Sequence, residues 1–144
     1  MWVDAEGAVR EWVNSRTVDL VGQGNPILLG AHLDRLRSPA RGVYVWLLRV
    51  GGGQALTAER PADRARISAS IYGLTKESAA AAAVAYANAL EQLQGRPTPM
   101  GPSAVCLTVD SITGPLATDP AQVSEDRFRY LVDADFYLVP ASAP

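Results

Sequence analysis

The sequence predicts an α+β domain, a mostly antiparallel sheet of about four strands with α-helices packed on one face, and three patterns carry that expectation. Phe128, Tyr130, Val132, Ala134, Phe136 and Leu138 alternate without a break, the period of a strand with one face on a core. Ala65, Ile67, Ala69 and Ile71 repeat that period opposite Arg64, Arg66, Ser68, Ser70 and Tyr72, as in a half-buried strand. Between these strands "KESAAAAAVAYANALEQL", Lys76 to Leu93, is built from the strongest helix former. The 144 residues, 48% hydrophobic and 19% charged, fit a single domain spanning 1–144.

The elements follow in order. Asp4 caps a first helix whose Ala8, Val9, Trp12 and Val13 share a stripe and which fades near Asn14. Val18 to Gly42 is rich in breakers ("GQGNP", "SPARG") around "ILLGAHL", an extended connector with at most a short strand. "VYVWLLRV", Val43 to Val50, is apolar on both alternating faces, as in a strand covered on both sides. "GGGQALTAERPAD" then exceeds a typical hairpin loop, so Gly51, Gly52 and Gly53 are expected to root a mobile loop with Glu59 and Arg60 towards its far end.

Thr75 caps the alanine helix, Glu77 sits at its positive end, and Gly95 with Pro97 stops it. Tyr86, Leu90 and Leu93 form one stripe with Ala79, Ala82 and Ala83, while Ala80, Ala81, Val84 and Ala87 are apolar on the other side. Methyl groups bury little area, so such a helix suits close approach of another backbone, in this chain or in a neighbouring subunit. "GRPTPMGPS" is expected to be a linker, "AVCLTVDSI" a strand from Ala104 to Ile112, and "TGPLATDPAQ" a turn-rich connection. The last strand, Arg127 to Val139, is longer than usual, so one end is expected to project past the sheet until Pro140 stops it.

Chemistry is sparsely supplied. The single histidine, His32, and single cysteine, Cys106, lie in no nucleophile motif and together cannot assemble a usual zinc site. The glycine stretches lack the spacings that cradle phosphates. Asp133 and Asp135 share a strand face and are expected to face water, or to meet Arg64 and Arg66 across strands, rather than hold a metal. Arg35, Arg37 and Arg41 cluster in the connector, as a solvated stretch or a docking patch. No catalytic residue, metal or cofactor is expected. The net charge of −2 and the acidic pI argue against nucleic-acid binding driven by phosphate neutralisation. One cysteine and an acidic N-terminal stretch point to a reducing cytosol, and no run reaches membrane-spanning length. Little charge and many small residues fit a protein whose business is contact.

Three stretches carry a family resemblance: "ILLGAHLDRLRSPARGVYVWLLRVGG", "ADRARISASIYGLTKESAAAAAVAYANAL" and "CLTVDSITGPLATDPAQVSEDRFRYLVDADFYLVPA". Their succession, from Pro26 to Ala141, resembles the tail terminator (tail completion) proteins of long-tailed phages, particularly those infecting actinobacteria. The resemblance implies a small α+β virion protein assembled in the host cytoplasm. It further implies a homo-oligomeric ring, commonly a hexamer, on the head-proximal end of the tail tube, where it ends tube growth and offers the head-joining surface. Implied partners are other copies of the chain, the tail tube protein and head–tail connector proteins, with DNA passing through the ring and no membrane. Another neck ring protein, a stopper or adaptor, is the neighbouring alternative, and a small-molecule enzyme or binding domain a distant one. Under this resemblance Ala80, Ala81, Val84 and Ala87, and the face bearing Arg64, Arg66, Tyr72, Asp133 and Asp135, are the candidate subunit contacts. The loop at Gly51, Gly52, Gly53, Glu59 and Arg60 is the candidate tube or connector contact.

Overall fold

Asp4 opens the first helix through its carboxylate, which accepts the Gly7 N–H at 3.1 Å. The structure, a computed structural model, describes residues 2–15, 30–34, 43–56, 61–118 and 128–141. Helix α1, Ala5–Ser15, buries Ala8, Val9, Trp12 and Val13, the stripe expected of it. Its last turn then organises a strand. Asn14 accepts the Ala31 N–H at 2.9 Å, fastening β1, Gly30–His32, to the helix end.

Five further strands complete one sheet: β2 (Val43–Leu56), β3 (Pro61–Gly73), β4 (Thr98–Met100), β5 (Ala104–Ala117) and β6 (Phe128–Pro140), with helix α2 (Lys76–Glu91) after β3. The order is β1-β2-β3-β6-β5-β4. Every pairing is antiparallel except β1 with β2. The chain is therefore mixed α+β with a mostly antiparallel sheet, and among the described residues its strands number six because three-residue pieces flank the four long ones.

The core lies between the helices and the inner sheet face, which presents Val45, Leu47, Ala65, Ile67, Ala69, Ile71, Val132, Ala134, Phe136 and Leu138. Helix α2 covers β5 and β6, while α1 touches β1 and β4, the two opposite edges of the sheet. A flat sheet of six strands would hold its edges more than 20 Å apart at about 4.8 Å per step, so the sheet curls around the helices. Trp12 of α1 and Tyr86 of α2 meet within this curl, ring centroids 6.3 Å apart.

Thr75 caps α2 as expected: its Oγ1 accepts the Ser78 N–H at 3.1 Å, and Ser78 Oγ accepts the Thr75 N–H at 3.3 Å. The helix ends at Glu91, one turn before Gly95, which turns the chain with φ +65°. The helix buries Ala79, Ala82 and Ala83 together with Tyr86 and Leu90.

Several expectations are corrected. The mobile loop from Gly51 is instead strand: β2 runs to Leu56 and β3 begins at Pro61, so Gly51, Gly52 and Gly53 pair with Arg66, Ala65 and Arg64. A register shift between Arg49 and Gly51 marks a bulge, and the glycines serve that bulge. The expected linker before Ala104 contains β4, paired with Val105 and its neighbours. The β5 strand continues through the turn-rich stretch to Ala117 by means of two register shifts, near Ser111 with φ 52° and Gly114 with φ 98°. The long β6 does not project, because β3 and β5 are equally long and pair along it. Most of the connector from Val18 to Gly42 lies outside the described residues, as do Arg35, Arg37, Arg41, Glu59, Arg60 and Arg127.

Candidate interaction surfaces

The outer sheet face, turned away from the helices, carries most of the polar groups singled out in the sequence. Strand alternation puts Arg64, Arg66, Ser68, Ser70 and Tyr72 of β3 there, with Arg129, Leu131, Asp133, Asp135 and Tyr137 of β6 in register beside them. The expected cross-strand ion pair forms at Arg66 and Asp135, 3.2 Å apart. Arg66 also donates to Thr113 Oγ1 at 3.2 Å and to the Ser111 carbonyl at 3.3 Å, so one guanidinium ties β3, β6 and β5 together.

Arg64 and Asp133 do not pair. Arg64 stands opposite Tyr137, whose hydroxyl lies between it and Asp110. Burial, then the Asp110 carboxylate, raises the phenol above its ordinary range, and Arg64 offsets part of that rise. Asp133 faces Ser68 and Thr113 in register, and its Oδ1 is buried without a hydrogen-bond partner.

Tyr72 was expected on a wet strand face but is only 1% exposed. It stacks on Tyr44 with ring centroids 4.7 Å apart and planes 10° from parallel. The Arg129 guanidinium lies 5.9 Å from the Tyr72 centroid and donates to Ser70 Oγ at 3.0 and 3.2 Å. Tyr72 is therefore a packing residue and is removed from the candidate contacts. No signal local to Tyr72 betrays this, because the cover comes from β2 and β6.

On α2 the candidate strip divides. Ala87 is buried on the core side, a second correction, whereas Ala81 is exposed, Ala80 half-buried and Val84 50% exposed. At 100° per residue, Ala87 lies near Ala83 on the face that rests on the sheet. The expectation of a β2 covered on both sides holds for Val43, Tyr44, Val45 and Leu47, then fails where Leu48 and Val50 stand 40% and 52% exposed.

One site was missed in the sequence. Arg49 and Asp63, at the two sides of the supposed loop, form an ion pair that also holds the N-terminal segment, since Asp63 Oδ2 accepts the Val3 N–H at 3.1 Å. A lone arginine in an apolar strand was the available signal.

His32 and Cys106 do not meet: His32 lies on the outer side of β1 against Tyr44, Cys106 on the inner side of β5, with β2, β3 and β6 between. Burial pushes the Cys106 thiol up to about 12. Among the described residues no three His, Cys, Asp or Glu side chains are grouped to hold a metal, and no helix is long and apolar enough to cross a membrane.

No protein-family model matches this chain, and no curated protein matches it. The described surfaces offer exposed apolar side chains on both margins of the sheet and on α2, around a polar face whose main ion pair is already satisfied internally.

Proposed function

We propose that this chain is a structural protein of the tail-terminator kind. Its copies join head to tail into a ring, of hexamer scale, that caps the head-proximal end of a phage tail tube and offers a surface to the head. The resemblance over Pro26 to Ala141 supports this reading, and a small α+β domain is the architecture it implies.

The observation that carries the proposal is where exposed apolar residues lie. Leu48 and Val50 stand on one margin of the sheet, Leu116 on the other at 64% exposure, and Val84 on the outward side of α2. Single exposed leucines are ordinary on any surface. A closed ring, however, requires two different patches on each subunit, and apolar groups on both margins supply them. Several weak subunit contacts to a tube end act together through effective concentration, so the free chain is expected to be mainly monomeric when dilute.

Micrographs of particles assembled without this protein test the reading. Over-long tail tubes are the expected result. Normal-length tails without heads would instead mark a joining protein of the neck, and normal complete particles would remove the proposal.

A further inference from the structure

The place where the two helices meet brings together two polar atoms that no protein group answers. Trp12 of α1 and Tyr86 of α2 are 2% and 0% exposed, and neither the indole Nε1 nor the phenol Oη has a hydrogen-bond partner among the described residues. The two rings are in contact, with centroids 6.3 Å apart and planes 56° from parallel. They do not answer each other, since no indole-to-phenol hydrogen bond forms in this packing. The other buried members of this core are aliphatic side chains with Phe136, Met100 and Cys106, none of which carries a strong acceptor.

A buried donor without an acceptor destabilises the fold, because the bond it made to solvent in the unfolded chain is not replaced. Were volume alone needed at residue 86, phenylalanine would supply it without that cost. Two such groups on touching side chains, one from each helix, share a single remedy.

We infer that one internal water molecule is bound at this seam, accepting from the Trp12 indole N–H and hydrogen-bonded to the Tyr86 hydroxyl, and that it ties α1 to α2 inside the curl of the sheet. Bridging otherwise unanswered polar groups is the ordinary role of buried water. The donor chemistry suits water: the indole only donates, whereas the phenol donates or accepts. A water that accepts from Trp12 keeps a lone pair and two hydrogens, enough for either orientation of the Tyr86 hydroxyl. Burial, then the charge of Asp133, raises the phenol above its ordinary range, so Tyr86 keeps its hydrogen for this bond at any pH the fold tolerates. The inference stands whether or not the chain forms rings.

Urea unfolding of the full chain beside Tyr86→Phe tests the site by the sign of the change. The variant keeps the ring and its packing, so it should fold. With the water bound, losing the hydroxyl removes one of its partners and leaves the indole poorly satisfied, and the urea midpoint should fall. Without it, the substitution deletes an unanswered buried hydroxyl, and a midpoint that stays or rises would overturn the inference. A crystal structure of the parent chain at a resolution that orders solvent decides the matter independently. A water within about 3 Å of both Nε1 and Oη is the expected result. An indole N–H directed at the face of the Tyr86 ring, or a hydroxyl turned to a main-chain carbonyl, with no water between, would overturn the inference even if the midpoint had fallen.

Discussion

Arg49 donates to both carboxylate oxygens of Asp63, at 2.9 and 2.6 Å, diagonally across the β2–β3 hairpin towards its turn end. Asp63 is fully buried, whereas the arginine side chain keeps 24% of its surface exposed. Trp2 lies against the same guanidinium, whose carbon is 5.4 Å from the ring centroid. The pair therefore fastens the N-terminal segment to the hairpin.

Removing Arg49 strands a buried carboxylate, which costs about 3 kcal/mol in comparable pairs. Arg49→Ala should accordingly lower the urea midpoint substantially. Burial alone would raise the Asp63 carboxyl, but hydrogen bonds from Arg49 and the Val3 N–H, with the arginine's charge, outweigh it and hold the group below its ordinary value. A carboxylate depressed in the fold stabilises it fully above its unfolded value of about 3.9, and the contribution disappears as pH falls through the folded value. Asp63→Asn should therefore lower stability at pH 7 and flatten the loss of stability below pH ~4 that is expected of the parent. An unchanged acid limb in urea titrations would count against this role.

Gly52 and Gly53 are adjacent but should respond differently to alanine. Gly52 has φ +115°, and a Cβ there would run into the Arg64 carbonyl, whereas nothing stands within 4 Å of a Cβ at Gly53. Gly52→Ala should cost about 2 kcal/mol or more, and Gly53→Ala should stay within about 0.5 kcal/mol. Thermal melts of the two variants measure the contrast, and equal effects would contradict the bulge.

Cys106 has no exposed surface, and its thiol lies 3.2 Å from the Thr108 carbonyl oxygen. It should not react with a thiol reagent at pH 8 while the chain is folded, and should react at once in denaturant. Rapid labelling of the folded chain would show that β5 opens readily at this point.

Charged bulk on the outward side of α2 should separate assembly from folding. Ala81→Glu with Val84→Arg changes exposed positions, so the monomer should keep its circular dichroism and melting temperature. Ring formation should be lost in sedimentation. An undisturbed ring would remove this strip from the contact surface.

How much of the fold was legible in the sequence depends on how local the cause is. The alternation of β3 and β6 gave their inner faces, and once the strands are neighbours the same alternation gives Arg66 beside Asp135. Asp4 and Thr75 were legible because a cap acts within three residues. The hairpin was not, because three glycines before a polar stretch look the same whether they loosen a loop or permit a bulge. The strand β4 was hidden by its length of three residues and by Pro99, and the burial of Tyr72 by cover from distant residues. Of the candidate contacts, Ala80, Ala81 and Val84 stand on the outward side of α2, whereas Ala87 turned inward because helical spacing places it beside the core stripe.

Copies of this chain are proposed to close into a ring that caps a tube. Electron microscopy of the purified protein over a concentration series, with and without tail tubes, tests it most directly. Closed rings at high concentration, and the same rings seated on one end of the tubes at lower concentration, are the expected result. Single particles throughout, with every tube end bare, would contradict it.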